Sequence, residues 1–324
     1  MASKIVLYIV EDMQNVIRYL SLIGMIFWMP LGASMSLERL YEFDKETSTR
    51  MLESATLQEL WDAFLSVQTD LFFSQEAAQL ANQKFWQEAK HVLELGSGNG
   101  AYLNKLCQQF DDKNYMGIEK QTHLALQSEK NFAGPHLQFR EGNAEIFYDD
   151  LRGMFDVVIF RLVLQHMDNP RMALTHAYEY LQEGGRIVIM DAYDAASRSS
   201  HRLPSKEEAV RLHNEKNQAN KKGNRLITLE LLKELKSETF GDLFELEFTS
   251  LNDQGEILSQ VVKFQGLRDR QLSFSAFLMY LAILQKGWDV PVDFSQGYDE
   301  CKVILEDESA WIRPGAHYMI LKKK

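Results

Sequence analysis

The stretch from Val92 to Gly100, VLELGSGNG, constrains the fold more than any other part of this sequence. A short, largely apolar strand is followed by glycine at positions 96, 98 and 100, and a helical pattern begins at Ala101. Glycine tolerates a positive φ and lets a ligand approach the backbone, because it has no Cβ. This order predicts a loop that binds a nucleotide or nucleoside. Alone, the loop also satisfies the dinucleotide fingerprint, as Gly96-x-Gly98-x-x-Ala101.

Strands and helices alternate through the middle of the chain. Predicted strands lie at 91–95, 115–118, 137–140, 156–160 and 186–190, with helical patterns between most of them. Short apolar strands with little polar alternation indicate a sheet that is covered on both faces. The sequence therefore predicts an α/β fold with a doubly wound, mostly parallel sheet. In such a sheet the ligand site lies at the carboxyl ends of the strands.

Polar residues follow three successive strands at that edge. Glu94 lies two residues before the first glycine, where its carboxylate suits a cationic amine and opposes a pyrophosphate. Glu119 ends the second strand, where a carboxylate can accept hydrogen bonds from both hydroxyls of a ribose. Asn143 follows the third strand and can bind the exocyclic amine of adenine. Amine, ribose and adenine are parts of S-adenosylmethionine, so the three positions together predict that cofactor.

Five stretches of the chain, in this order, resemble the class I S-adenosylmethionine-dependent methyltransferases. They are VLELGSGNG (92–100), the strand that ends at Glu119, EGNAE (141–145), FDVVIFRLVLQHMDNP (155–170) and LQEGGRIVIMD (181–191). The resemblance implies the Rossmann-like methyltransferase fold, whose sheet has seven strands, with helical additions at the N-terminus and in a lid. The FRLVLQHMDNP stretch is most similar to the small-molecule branch of the family.

The resemblance also assigns residues to the cofactor. They are Glu94, Gly96, Ser97, Gly98, Gly100, Glu119, Asn143, Ala144 and Arg161. Among them, Asn143 and Ala144 would contact adenine, and Arg161 would lie near the sulfur that carries the methyl group. The family more often has aspartate at position 143, but asparagine keeps one acceptor oxygen.

Candidate residues for the transfer itself follow the fourth and fifth strands. A base is needed only if the methyl acceptor starts protonated. His166 is the candidate base because imidazole titrates near neutral pH, and a purely structural histidine is the alternative. Tyr193 and Asp194 are expected to shape the substrate pocket.

The segment from Arg198 to Arg225 is basic within an acidic chain. It holds eight basic and three acidic residues, whereas the whole chain has a formal net charge of −11. This fold often carries a substrate lid at that position, so Arg198, Arg202 and Arg211 are candidate contacts to an anionic small molecule. The alternative interpretation is a solvated helix face.

Composition excludes several other classes of function. A net charge of −11 is a poor match for the phosphate backbone of a nucleic acid. The Pro-Pro-aromatic stretch that holds a flipped base in nucleic-acid methyltransferases of this fold is absent at 160–163, which read FRLV. Cys107 and Cys301 lack the spacing of a metal site, and we expect no metal. Two free thiols favour a reducing, cytoplasmic location.

The most apolar run, Tyr19 to Ala33, is 15 residues long, whereas a transmembrane helix takes about 20. Pro30 lies near its end, and the preceding Glu11 and Asp12 disfavour a secretory signal. We expect this run to pack on the main domain. A contact with a membrane surface is less favoured, and a functional start at Met35 is a third alternative.

The sequence thus predicts a methyltransferase that moves a methyl group by in-line displacement to an O, N or C centre of a small molecule. A non-catalytic binding protein with this fold is one alternative, and an NAD(P)-binding oxidoreductase, which Glu94 disfavours, is another. Residues 1–55 are predicted to be an N-terminal extension. Residues 56–324 are predicted to form the methyltransferase domain, with a core at 90–191 and lid or insertion segments at about 192–236 and 249–316.

Overall fold

The computed structural model of this protein describes residues 36–220, 223–235 and 238–324. The strands are β1 (His91–Leu95), β2 (Asn114–Glu119), β3 (Leu137–Glu141), β4 (Phe155–Arg161), β5 (Leu181–Ala192), β6 (Arg198–Ser199), β7 (Phe244–Thr249), β8 (Ile312–Arg313) and β9 (Ala316–Lys323). The helices are α1 (Lys45–Ser54), α2 (Leu57–Ala81), α3 (Lys84–Glu88), α4 (Ala101–Gln109), α5 (Thr122–Phe132), α6 (Pro170–Tyr180), α7 (Pro204–Asn220), α8 (Ile227–Glu234), α9 (Glu238–Gly241), α10 (Leu267–Trp288) and α11 (Phe294–Glu306). Short 3-10 turns lie at Leu37–Glu42, Asp149–Leu151, Leu164–His166 and Asp194–Ala196.

Seven strands form one sheet in the order β3-β2-β1-β4-β5-β9-β7. The first five are parallel to one another, and β9 is antiparallel to both β5 and β7. This confirms the predicted doubly wound, mostly parallel sheet. The strand order reverses between β1 and β4, so a crevice forms at their carboxyl ends.

Apolar side chains on both faces of the central strands explain why the sheet is buried. In β4, Val157 and Ile159 belong to the hydrophobic cluster on one face, and Val158 and Phe160 belong to the cluster on the other. All four are fully buried. Side chains alternate between the faces of a strand, so a continuous apolar run requires cover on both sides.

Helix α2 begins after Thr56, which is its N-cap. The Thr56 side chain accepts a hydrogen bond from the Glu59 amide, and the Glu59 carboxylate accepts one from the Thr56 amide. This reciprocal capping box fixes the start of the helix. Helices α2, α7, α10 and α11 pack on one another beside the sheet, and α10 contacts each of the other three.

The folded unit begins earlier than predicted, because residues 37–324 form one compact unit. Leu40 and Leu52 are buried in the same hydrophobic cluster as much of α10. The Tyr298 hydroxyl on α11 also donates to the Phe43 carbonyl at 2.8 Å. Residues 37–55 are therefore part of the domain and not an extension.

The first part of the predicted extension cannot be compared with the structure. The apolar run Tyr19–Ala33 and Met35 lie outside the described residues. Among the helices that the structure does describe, none has the length and apolar character to cross a membrane.

Replacing Leu52 by alanine should lower the free energy of unfolding by about 2–5 kcal/mol, because a buried side chain is replaced by a cavity. Urea unfolding followed by circular dichroism measures the change. The neighbouring Glu53 is exposed, so Glu53→Ala is the matched control and should change the value by about 0.5 kcal/mol or less. Equal losses in the two variants would contradict the burial of α1 in the domain.

Candidate active site

A cavity of about 560 Å³ lies at the carboxyl edge of the sheet. Residues at or after the ends of β1 to β5 form one side of it, and residues of α2, α7, α10 and α11 form the other. Its volume falls within the range of small-molecule sites. Nine of the predicted site residues line it: Glu94, Gly96, Ser97, Gly98, Glu119, Asn143, Ala144, Arg161 and His166.

The glycine loop uses its glycines in two different ways. Gly96 lines the cavity at φ +80°, and a Cβ there would lie 2.3 Å from Val163 Cγ2 in the loop after β4. Gly100, at φ +76°, is the left-handed N-cap of α4 and does not line the cavity. A Cβ at Gly100 would lie 2.8 Å from the Phe139 ring, so packing requires this glycine.

Glu119 has a structural task as well as a place on the cavity wall. Its carboxylate accepts hydrogen bonds from the backbone amides of Gly98, at 2.9 Å, and Gln121, at 2.8 Å. The acid at the end of β2 therefore fixes the glycine loop that follows β1. Its side chain is nearly buried and faces the same cavity.

Asn143 and Ala144 lie where the predicted adenine contacts should be, after β3. The Asn143 side-chain oxygen accepts from the Glu145 amide at 3.0 Å, and the Asn143 amide donates to the Tyr148 hydroxyl at 2.8 Å. A carbonyl oxygen has two lone pairs, so one remains for a ligand. The Ala144 carbonyl lies 3.1 Å from His176 Nδ1.

Arg161 forms a buried ion pair that the sequence interpretation missed. Its Nε donates to Glu76 Oε2 at 2.9 Å, and the Tyr318 hydroxyl donates to Glu76 Oε1 at 3.0 Å. The guanidinium also lies 4.4 Å from the centre of the Tyr102 ring. In the sequence, the signal for this pair is an acidic residue, Glu76, close to the apolar residues Phe72, Ala77 and Leu80.

Two polar side chains on the cavity wall, at the end of β1 and in the glycine loop, have a buried atom without a hydrogen-bond partner. Glu94 is 2% exposed, and neither its Oε2 nor Ser97 Oγ has a hydrogen-bond partner among the described residues. Burial raises the pKa of Glu94 to about 8, although the nearby Arg161 opposes the shift. Buried polar groups are normally satisfied, so such atoms on a cavity wall point to a ligand.

A second missed residue, Asp191, holds the loop after β4. It is fully buried, and its carboxylate accepts from the amides of Val163 at 3.1 Å, Gln165 at 3.3 Å and Ala192 at 2.7 Å. Burial raises the pKa of Asp191 to about 6. Leu162 in this loop has φ +53°, a conformation that costs a non-glycine residue about 1–2 kcal/mol. The hydrogen bonds to Asp191 help to hold this strained backbone in place.

His166 lies on the cavity wall, and its side chain is accessible from the cavity. Enclosure by protein, followed by the positive charge of Arg225, lowers the pKa of His166 to about 4. The imidazole is therefore uncharged at neutral pH. It can accept a proton, but it does so less readily than an ordinary histidine.

The structure corrects the predicted substrate contacts, because Tyr193, Arg198, Arg202 and Arg211 do not line the cavity. The Tyr193 side chain packs in the hydrophobic cluster on the far face of the sheet. Arg198 donates to backbone carbonyls, Arg202 pairs with Glu207, and Arg211 pairs with Glu208 and Glu215. The three arginines are exposed, and their charges are satisfied at the surface.

Other members of the same basic segment do reach the cavity. Lys206 and His213 of α7, with Val210 between them, have the spacing of one helix face and line the cavity. Arg225 also lines it and forms an ion pair with Asp194, which was predicted to shape the pocket. The segment therefore reaches the cavity through residues other than the three arginines that the sequence suggested.

A family model described as a methyltransferase domain matches residues 69–237, just over half of the chain. Methyltransferase str3 of Strobilurus tenacellus is 28% identical over 104 residues, which are 32% of this chain and 36% of that protein. The malonyl-[acyl-carrier protein] O-methyltransferase of Paenibacillus sp. (strain JDR-2) is 24% identical over 102 residues, 30% of this chain and 37% of that protein. The chain thus matches little more than a third of the length of these relatives.

Among solved structures, the plantazolicin methyltransferase BpumL in complex with SAH has 14% identity and a TM-score of 0.48, and the match covers 89% of this chain and 95% of that one.

Replacing Glu76 by glutamine should lower the free energy of unfolding by about 3–5 kcal/mol, because the buried Arg161 loses the carboxylate to which its Nε donates. Glu306 forms an exposed ion pair with Lys302 on α11, so Glu306→Gln is the control and should cost about 1 kcal/mol or less. Denaturant unfolding of both variants provides the comparison. Similar small losses would show that the Arg161 charge is accommodated without Glu76.

Proposed function

Because the chain belongs to the class I S-adenosylmethionine-dependent methyltransferases, we propose that it transfers a methyl group from S-adenosylmethionine to a small molecule held in the cavity. The acceptor centre is an O, N or C atom. The cofactor would occupy the side formed by the strand ends, and the acceptor would occupy the side formed by the helices.

The observation that carries this proposal is the buried, unpaired carboxylate of Glu94 beside the glycine loop. An ammonium group would supply both the hydrogen-bond donors and the positive counter-charge that this carboxylate lacks. Ser97 Oγ, also unpaired, lies on the same wall. Glu119 and Asn143 present acceptor oxygens after the next two strands. The residues present therefore fit the amino-acid, ribose and adenine parts of the cofactor.

When bound, the cofactor supplies an electrophilic methyl group: the acceptor atom forms a bond to the methyl carbon, the carbon–sulfur bond breaks, and the electron pair of that bond stays on sulfur. The chain contributes binding, alignment and exclusion of water. Phe64 of α2 and Tyr280 of α10 stack at 6.2 Å on the wall and help to keep the cavity dry. An acceptor that starts protonated would pass its proton to a base. His166, which lines the cavity, is the candidate for that base.

Calorimetry with S-adenosylmethionine, S-adenosylhomocysteine and NAD tests the proposal. We expect both sulfur nucleosides to bind and NAD not to bind, because the unpaired Glu94 side chain favours a ligand with an ammonium group, which NAD lacks. Binding of NAD alone would favour an oxidoreductase. Binding of the sulfur nucleosides without transfer of labelled methyl to any component of a cell extract would favour a binding protein with this fold.

Cofactor binding should release a proton from Glu94. At pH 7 a carboxyl group with a pKa of about 8 is mostly protonated, and a bound ammonium group favours its ionised form. Binding at pH 7 should therefore release up to about one proton per protein molecule. The affinity for S-adenosylhomocysteine should increase as the pH rises from 6 to 8. Calorimetry with S-adenosylhomocysteine in buffers of different ionisation enthalpy measures the release.

Glu94→Gln should bind more weakly and release no proton, because glutamine does not titrate. Glu141 is exposed at the end of β3, so Glu141→Gln should behave like the parent protein. The same proton release from Glu94→Gln and the parent would remove the assigned role of Glu94.

A further inference from the structure

The helical side of the cavity carries several aromatic side chains, which we call the aromatic wall. Ring contacts join α2 to α10 and to the segment before it. The pairs are Trp61 with Trp288, Phe64 with Tyr280, and Phe72 with Phe264, with ring centres 5.0–6.2 Å apart. Phe274 and Phe277 of α10 line the same wall. Aromatic side chains present flat apolar surfaces and ring edges, so this wall suits a planar apolar molecule.

Lys206 of α7 brings a positive charge to the same cavity. Its Nζ donates to Ser197 Oγ at 3.0 Å, and no ion-pair partner of Lys206 is present within 36–220, 223–235 and 238–324. An ammonium group has three donor hydrogens, so this bond leaves donors for a ligand. Burial lowers the pKa of Lys206, because the surrounding protein disfavours its charged form.

The acidic groups nearest to Lys206 are Asp194 and Glu207, and each of them is paired with an arginine. The Asp194 carboxylate is bonded to Arg225 through two nitrogens, so this pair has no net charge. Burial raises the pKa of the Cys301 thiol well above its ordinary value, so it stays protonated. Burial also lowers the pKa of His213 to about 4 and raises that of Tyr280 to about 12, so both are neutral at pH 7.

We propose that the methyl acceptor is a planar aromatic acid whose anionic oxygen binds Lys206 Nζ while its rings lie against the aromatic wall of α2 and α10. This inference rests on the proposed function and adds the substrate class. The Lys206 side chain is partly buried, so its ammonium has lost part of its hydration, and an acidic ligand would supply the charge that compensates for this loss. Arg270 of α10 also lines the cavity, but its guanidinium donates to the backbone carbonyls of Leu305, Gln265 and Glu308. An apolar compartment with a few charged or polar groups is the usual composition of a specific small-molecule site.

Paired ligands that differ only in charge test the proposal on the full chain loaded with S-adenosylhomocysteine. The panel contains benzoate, cinnamate, 2-naphthoate and 3-hydroxy-2-naphthoate, each beside its neutral primary amide. We expect at least one acid to bind about tenfold more tightly than its amide, which is the effect of one hydrogen-bonded charge pair. Calorimetry measures each affinity.

Lys206→Met should lower the affinity for that acid about tenfold and leave the affinity for its amide unchanged. Lys302 on α11 is exposed and paired with Glu306, so Lys302→Met is the matched control and should keep the preference for the acid. The affinity for S-adenosylhomocysteine should be the same in all three proteins, which shows that the fold is intact.

Three results would overturn the acceptor class: no acid binds, the acids bind no more tightly than their amides, or Lys206→Met weakens acid and amide equally. The proposed function fails separately, at the earlier step, if S-adenosylhomocysteine itself does not bind. If Lys206→Met does not fold, the comparison of acids with amides in the parent protein still decides the question.

Discussion

The ion pair between Arg161 and Glu76 joins the two halves of the candidate site. Arg161 ends β4 at the centre of the sheet, Glu76 lies on α2, and the Tyr318 hydroxyl on β9 adds a third element. Both charges are buried, so each requires the other. The helical side of the cavity is therefore held at a fixed distance from the glycine loop. Methyl transfer depends on the alignment of the reacting atoms, and this ion pair helps to keep the two sides of the cavity in a fixed arrangement.

The parts of the site that could be predicted from the sequence are those that depend on local order along the chain. A strand, a glycine turn and a helix define one loop, and parallel strands bring Glu94, Glu119 and Asn143 to one edge. The sequence spacing alone was enough to place these residues on one cavity. Glu76 and Asp191 were missed because their partners, Arg161 and the amides of the loop after β4, lie 85 and up to 28 residues away. Such pairings depend on tertiary packing.

In the basic segment 198–225, the orientation of the side chains also depends on tertiary packing, which the sequence does not show. Its excess charge was visible in the sequence, but the rotation of α7 about its axis decides which cations face the cavity. That rotation is set by contacts with α10 and α11, which place Lys206 inside and leave Arg211 paired at the surface. The start of the domain was misjudged for a similar reason. Leu40 and Leu52 are buried by α10 and α11, which lie more than 200 residues later in the chain.

The buried carboxylate of Asp191 also affects how a pH profile of this protein would be understood. Its ionised form accepts the three amide hydrogen bonds that hold the loop bearing His166, and its pKa is about 6. Below that pH a proton competes with the amides, and the loop is held less firmly. A fall in rate near pH 6 would then result from weaker hydrogen bonding between Asp191 and the loop after β4. His166, with a pKa of about 4, would not be its cause.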